Sequence, residues 1–406
     1  MTALGGVELA FHLAPGLLPS SYRERFAMHG VELFHRGILE VTPIRGVPLP
    51  LVLEEHVGPP PADLKELGIA PAEDDYDTRR YPRVHLPADS RGFPNTEELE
   101  QAELVLIGDS FGVATGVKEP PGLQKMIVEA TERTVFNLSI AGIGPLREEF
   151  LLDRMGFGLK PRCIVWFFYA GNDATLSIDP LIHEHFGRMS WADAYAERRA
   201  PSFFLPDLVR LAFEKKPQAA LQTPLPGYPF RLKNGSMQPV WFLPDNLRQL
   251  AWTKETWNQN DGWRNAQEVL KRVRDKCTEK DVSLLLVYVP TKAEVYLPLV
   301  DAEAQMVFGN AQRRAPEPLA SSAEDFLAAC LARRHALEES FTAFCQREGI
   351  PLLSATPALE ALARSGELGY LVADTHWQET GQATLLAGLV DALIELGVVD
   401  ESRRID

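Results

Sequence analysis

"VLIGDSFGV", residues 105–113, is the stretch whose reading decides the fold. Val105, Leu106 and Ile107 form an apolar run that stops abruptly at Gly108-Asp109-Ser110. A short continuous apolar run bounded by turn residues reads as a strand buried on both faces, the kind found in parallel sheets. Ser110 is then either a nucleophile presented at a strand end or part of the polar turn that leads from strand to helix. Taken alone, Gly-Asp-Ser favours the turn, because Asp and Ser bond readily to nearby backbone amides. The choice depends on whether the chain elsewhere supplies a base, an orienting acid and donors for an oxyanion.

Outward from this strand, residues 103–109, the same chemistry recurs. "RTVFNLSI" (133–140), "RCIVWFFYAGND" (162–173) and "SLLLVYVP" (283–290) read as strands, and "GIPLLSA" (349–355) as a weaker fifth. Helical patterns fill the gaps at 121–132, 144–156 and 262–279, then in a long amphipathic helix over 322–348 and a final one over 380–397 with Thr380 as N-cap. In the third of these, Trp263, Ala266, Val269, Leu270, Val273 and Cys277 share one face. Buried strands alternating with helices imply an α/β protein with a mostly parallel sheet of about five strands, covered on both faces.

Two regions break the rhythm. Residues 1–100 read as an irregular N-terminal extension, Pro-rich over 41–95. Residues 174–261 read as an inserted cap between the two parts of the core, 101–173 and 262–406. Asn234-Gly235 signals a two-residue hairpin within it. Its aromatic residues Phe203, Phe204, Tyr228, Phe230, Trp241 and Phe242 either shape a carbohydrate groove or form a small core of their own.

Composition narrows the function. The 406 residues are 45% hydrophobic, enough for a large core, and the net charge of −15 argues against nucleic acid and anionic membrane surfaces. Cys163, Cys277, Cys330 and Cys345 are far apart and lack ligand spacing, so neither a zinc site nor a disulfide framework is expected. His183 and His185 have metal-like spacing without a partner and read as a solvated loop. No cofactor or metal is expected. The chain shows neither a run of about 18 apolar residues nor the pattern of a signal peptide. As written it reads as cytoplasmic; with an anchor ahead of it, the same chain would be extracytoplasmic.

In an open α/β sheet, ligands bind beyond the carboxyl ends of the strands. Gly108-Asp109-Ser110 ends the first strand, "AGIG" (141–144) follows the second, and Gly171-Asn172-Asp173 ends the third. Asp374-Thr375-His376-Trp377 precedes the last helix. A serine hydroxyl needs a neighbouring base. Of the nine histidines, His376 stands two residues from Asp374, which in an extended segment projects to the same side and can fix its tautomer. The backbone N–H groups of Ser110 and Gly142 and the side-chain amide of Asn172 make a sensible oxyanion trio. Trp377 could wall a substrate site, and Asp173 could hold the Asn172 loop or touch substrate. Each motif singly has an ordinary reading as turn, loop glycine or helix cap; the combination in this order carries the expectation.

That ordered set resembles the block pattern of the SGNH (GDSL-type) hydrolase superfamily over roughly 101–173 and 262–398. The resemblance implies a flavodoxin-like three-layer α/β/α fold and serine esterase or acyltransferase chemistry without metal. It implies Ser110 as nucleophile, Gly142 and Asn172 as oxyanion donors, and Asp374 with His376 completing the triad. Most of that superfamily has two residues between Asp and His, whereas this chain has Thr375 alone. Asp-x-His followed by Trp, then Gly381, is similar to the branch containing the alginate O-acetylation proteins and related membrane-associated bacterial proteins. For that branch the implied substrate is an acyl group, expected to be acetyl, on a small molecule or polysaccharide, with a membrane anchor or membrane acyl-donor partner. The competing reading is a catalytically weak carbohydrate-binding or assembly protein using the same cleft.

Overall fold

The computed structural model describes residues 89, 93–95, 97–113, 122–140, 143–176, 226–313, 315, 318–319, 321–371 and 375–405. Most of the expected N-terminal extension lies outside these residues, as do 177–225 of the expected cap with His183, His185, Phe203 and Phe204. Seven strands are described: β1 (Leu104–Gly108), β2 (Val135–Asn137), β3 (Cys163–Tyr169), β4 (Gly227–Arg231), β5 (Met237–Trp241), β6 (Ser283–Val289) and β7 (Leu352–Ser354). The helices are α1 (Gly122–Thr131), α2 (Pro145–Leu151), α3 (Asp173–Leu176), α4 (Pro244–Leu250), α5 (Lys254–Gln259) and α6 (Asp261–Glu279). They continue with α7 (Lys292–Tyr296), α8 (Ala304–Gln312), α9 (Ala323–Arg333), α10 (Ala336–Glu348), α11 (Thr356–Arg364) and α12 (Glu379–Glu395).

Five strands form one parallel sheet in the order β2-β1-β3-β6-β7. The period-2 alternation of each strand divides its side chains between two cores. Leu104 and Leu106 of β1, Val165 and Phe167 of β3, and Leu285 and Val287 of β6 face one side. Val105 and Ile107, Trp166 and Phe168, and Leu286 and Tyr288 face the other. The first side is covered by α1, α4, α7, α8, α9, α11 and α12, the second by α2, α6 and α10. The result is the expected three-layer α/β/α fold. Because β1 lies between β2 and β3, strand order reverses there, and the crevice beyond β1 and β3 is where this topology places a ligand.

Three local expectations are corrected. The helix expected over 322–348 is two helices broken at Arg334-His335, where His335 leaves helical geometry at φ −99° and ψ 10°. The reason is packing: Phe326 and Cys330 of α9 bury on one side of the sheet, while Leu337, Phe341 and Phe344 of α10 bury on the other. One straight helix cannot face both. Thr380 is not the cap of the last helix, which starts after Gln378; the Thr380 hydroxyl instead donates to Leu368 O at 2.8 Å. The hairpin β4–β5 forms where Asn234-Gly235 signals it, but with three loop residues. Leu232 N donates to Ser236 O at 2.9 Å, Gly235 N to Leu232 O at 2.8 Å, and Gly235 takes the left-handed φ of 85° that closes such a loop.

The aromatic residues of the hairpin neither line a groove nor form a separate core. Tyr228, Phe230 and Phe242 are 0–2% exposed and join the cluster that covers one face of the main sheet. Trp241 is also buried. The Asn310 amide ties this unit down, donating to Tyr228 Oη at 3.2 Å and to Phe242 O at 3.1 Å.

Candidate active site

Ser110 stands where β1 turns. Gly108 is required there by close approach, because a Cβ would lie 2.8 Å from Phe167 O of the neighbouring strand. The Asp109 carboxylate then reaches forward, and Phe111 N donates to its Oδ1 at 2.9 Å, closing an Asx-type turn. So the turn reading is correct for Asp109. The same turn leaves the next side chain aimed elsewhere: Ser110 Oγ is 2.6 Å from His376 Nε2. Both residues are 7% exposed.

His376 is presented by a pair of antiparallel flanks. Tyr370 bridges Trp377, Leu371 N donates to His376 O at 2.9 Å, and Gln378 N donates to Gly369 O at 2.9 Å. Trp377 is fully buried and packs edge-on against Phe111 and Phe167, with ring centroids at 5.5 and 6.2 Å. It therefore offers no face to a substrate, and the expectation that it walls the site is corrected: it is the core wedge beneath His376. Phe111 stacks on Tyr169 at 3.8 Å and lies 5.1 Å from the His376 ring, so one aromatic side chain supports both the Ser110 turn and the histidine.

Beyond β3, Gly171 is held to glycine by the Tyr169 ring, which a Cβ would meet at 2.5 Å. The turn folds back over that ring and brings Asn172 to β1, where its Nδ2 donates to Asp109 Oδ2 at 2.8 Å. Asp173 is wholly buried, with Oδ2 accepting from Tyr169 N at 2.7 Å. It holds the turn, and no part of it is open to substrate. Ser110, His376 and Asn172 thus meet at one strand-end crevice. Gly142 and Asp374 lie outside the described residues.

The electrostatics under this crevice centre on acids. Burial pushes the Asp109 carboxyl above its ordinary value, against the opposing pull of Phe111 N–H, the Asn172 amide and nearby His376. Sequence reasoning missed Glu148, which is 0% exposed on α2 and accepts from Trp166 Nε1 at 2.6 Å. Burial first, then the nearby Asp109 charge, raises its pKa well above normal. Asp173 is raised likewise by burial, then by Glu148 and Asp109. A signal did exist, since Leu151 and Leu152 lie three and four residues beyond Glu148 and place it on the inward face of its helix. Among the described residues, no group of three His, Cys, Asp or Glu side chains is arranged to hold a metal ion.

The site is that of a strand-end serine paired with a histidine in a flavodoxin-like sheet. No protein-family model matches the chain, and no curated protein matches it. Solved structures do show a likeness. One is an α/β hydrolase from the metagenome of Lake Arreo, 12% identical, covering 75% of this chain and 99% of that one at a TM-score of 0.34. Another is phospholipase A1 from Streptomyces albidoflavus, 12% identical, covering 73% and 99% at a TM-score of 0.36. A mutant acetyl-xylooligosaccharide esterase from Geobacillus stearmophilus is 10% identical, covering 74% and 97% at a TM-score of 0.34. At such scores the likeness carries no weight for the chemistry of this chain.

Proposed function

We propose that the chain is an SGNH-type serine hydrolase or O-acyltransferase that works on esters through an acyl-enzyme. The observation that carries this reading is the 2.6 Å approach of His376 Nε2 to Ser110 Oγ across the switch point of the sheet. With the ring proton on Nδ1, the Ser110 hydroxyl donates to Nε2, and Asp374 would fix that tautomer. Ser110 Oγ attacks the ester carbonyl while His376 takes its proton. The second hydrogen of Asn172 Nδ2, with the N–H groups of Ser110 and Gly142, would receive the developing oxyanion. His376 then protonates the leaving alcohol oxygen as the tetrahedral species collapses to the acyl-enzyme. Water, or a sugar hydroxyl in the transferase, takes the acyl group by the reverse sequence.

The 7% exposure of Ser110 supports a short acyl group such as acetyl. The Asp374-Thr375-His376-Trp377 spacing supports the O-acetylation branch, and with it a carbohydrate ester as substrate. The test is p-nitrophenyl acetate turnover together with labelling by a fluorophosphonate probe. Wild type is expected to do both, and Ser110→Ala neither. Equal turnover by the two proteins with Ser110 unlabelled overturns the reading. Product analysis on acetylated glycans then separates hydrolysis from transfer.

A further inference from the structure

Among the described residues, Lys292 is the one buried lysine or arginine, at 3% exposure. An ammonium is costly to take from water unless its donors are engaged. Helix α7 does not need this cation to begin. Thr291 and Glu294 already form a reciprocal capping box, with Glu294 N donating to Thr291 Oγ1 at 3.1 Å and Thr291 N to Glu294 Oε2 at 2.6 Å. What the charge does reach is the far side of the site: Lys292 Nζ donates to Leu371 O at 3.0 Å.

Leu371 is the residue whose own N–H is bonded to His376 O. Lys292 therefore grips one side of a peptide unit pair whose other side holds the base. It does not act alone. Tyr370 Oη donates to Pro290 O at 2.6 Å, Gly369 N donates to Tyr296 Oη at 2.8 Å, and Tyr296 Oη donates to Glu367 O at 3.3 Å. Among the described residues, the segment 290–296, which follows β6, thus binds the chain leading to His376 at four points, and of these the Lys292 contact lies nearest His376 in sequence.

We propose that Lys292 is a positioning residue for the general base, setting the register of the His376 flanks so that Nε2 meets Ser110 Oγ. This rests on the hydrolase reading above. A base displaced by a fraction of an ångström binds substrate normally but transfers the proton poorly, so the loss falls on kcat rather than KM.

The test compares wild type, Lys292→Met, Lys292→Gln and Tyr296→Phe. Competent serines are counted by fluorophosphonate titration, and p-nitrophenyl acetate kinetics are expressed per titrated serine. Lys292→Met is expected to lose about tenfold or more in kcat with KM within about twofold, since small misplacements cost up to about a hundredfold. Lys292→Gln keeps a shorter, neutral donor and is expected to recover part of the loss. A residue with a purely structural role would lower the number of titratable serines and the melting temperature while leaving kcat per serine unchanged. That result for Lys292→Met overturns the proposal. If Lys292→Met does not fold, Lys292→Gln and Tyr296→Phe decide it by the same criterion. A wild-type chain that neither labels nor turns over overturns the hydrolase reading and this inference together, whereas active wild type with unchanged variants overturns the inference alone.

Discussion

Asn172 Nδ2 donates to Asp109 Oδ2 at 2.8 Å, so the amide proposed as an oxyanion donor is aimed by the residue next to Ser110. Asp109→Asn puts this relationship to the test. The carbonyl oxygen of the substituted side chain can still accept from Phe111 N, but its NH2 group then meets the Asn172 amide, donor against donor. Asn172 must turn away. Loss of one oxyanion donor costs about 10²–10³ in kcat, and a loss of that order with little change in KM is expected for this variant. Steady-state kinetics beside Asn172→Ala check it, and the two losses should not add, because both remove the same donor.

Trp377 separates a core role from a substrate role. Its full burial against Phe111 and Phe167 predicts that Trp377→Ala costs about 3–5 kcal/mol of stability. Urea denaturation followed by far-UV circular dichroism measures this. A variant of unchanged stability with a raised KM would return Trp377 to the substrate.

Burial and then the Asp109 charge raise the Glu148 carboxyl well above its ordinary value, so its pKa in the folded protein lies above that of the unfolded chain. The folded state then binds the extra proton, and stability falls as pH rises above the ordinary glutamate range of about 4.3. Glu148→Gln has nearly the shape of the protonated acid and can still accept from Trp166 Nε1. Its stability relative to wild type is expected to increase as pH rises above about 4.3, where the unfolded glutamate ionises and the folded one resists. A difference that stays constant as pH rises would contradict a raised Glu148.

Glu294 carries the same sign in a narrower window, because burial raises it from 4.5 to about 7. Its carboxyl is protonated in the folded chain and ionised in the unfolded one between those values, so this group lowers stability progressively across them. At about 1.4 kcal/mol per pKa unit, the full span amounts to about 3 kcal/mol. Glu294→Gln, which can bond both Thr291 N and Tyr288 Oη, should flatten the wild-type decline between pH 4.5 and about 7 in denaturation curves.

The sheet was legible because each buried strand is a continuous apolar run, and the face of α6 because its spacing is purely local. The places of Ser110 and Asn172 were legible because each follows a strand end, and His376 stood out because it lies two residues from Asp374 just before the last helix. The inward face of Glu148 could be read from Leu151 and Leu152, but its Trp166 partner could not, nor could the Lys292–Leu371 contact or the break at His335. These depend on distant partners that no local pattern reveals. Trp377 shows the same limit: its neighbour His376 is at the site, yet the alternation of an extended flank sends the indole the other way, into the core.

Ser110 and His376 are 266 residues apart in the chain. A ribosome that has delivered the whole first strand has made Ser110 without His376, and it must add most of the remaining chain before the two can meet. On the hydrolase reading, the growing polypeptide would carry an unactivated alcohol, and reactivity would begin only when the segment bearing His376 docks against Phe111. Covalent capture at Ser110 would then serve as a clock for completed folding, recording the moment the last elements close over the first.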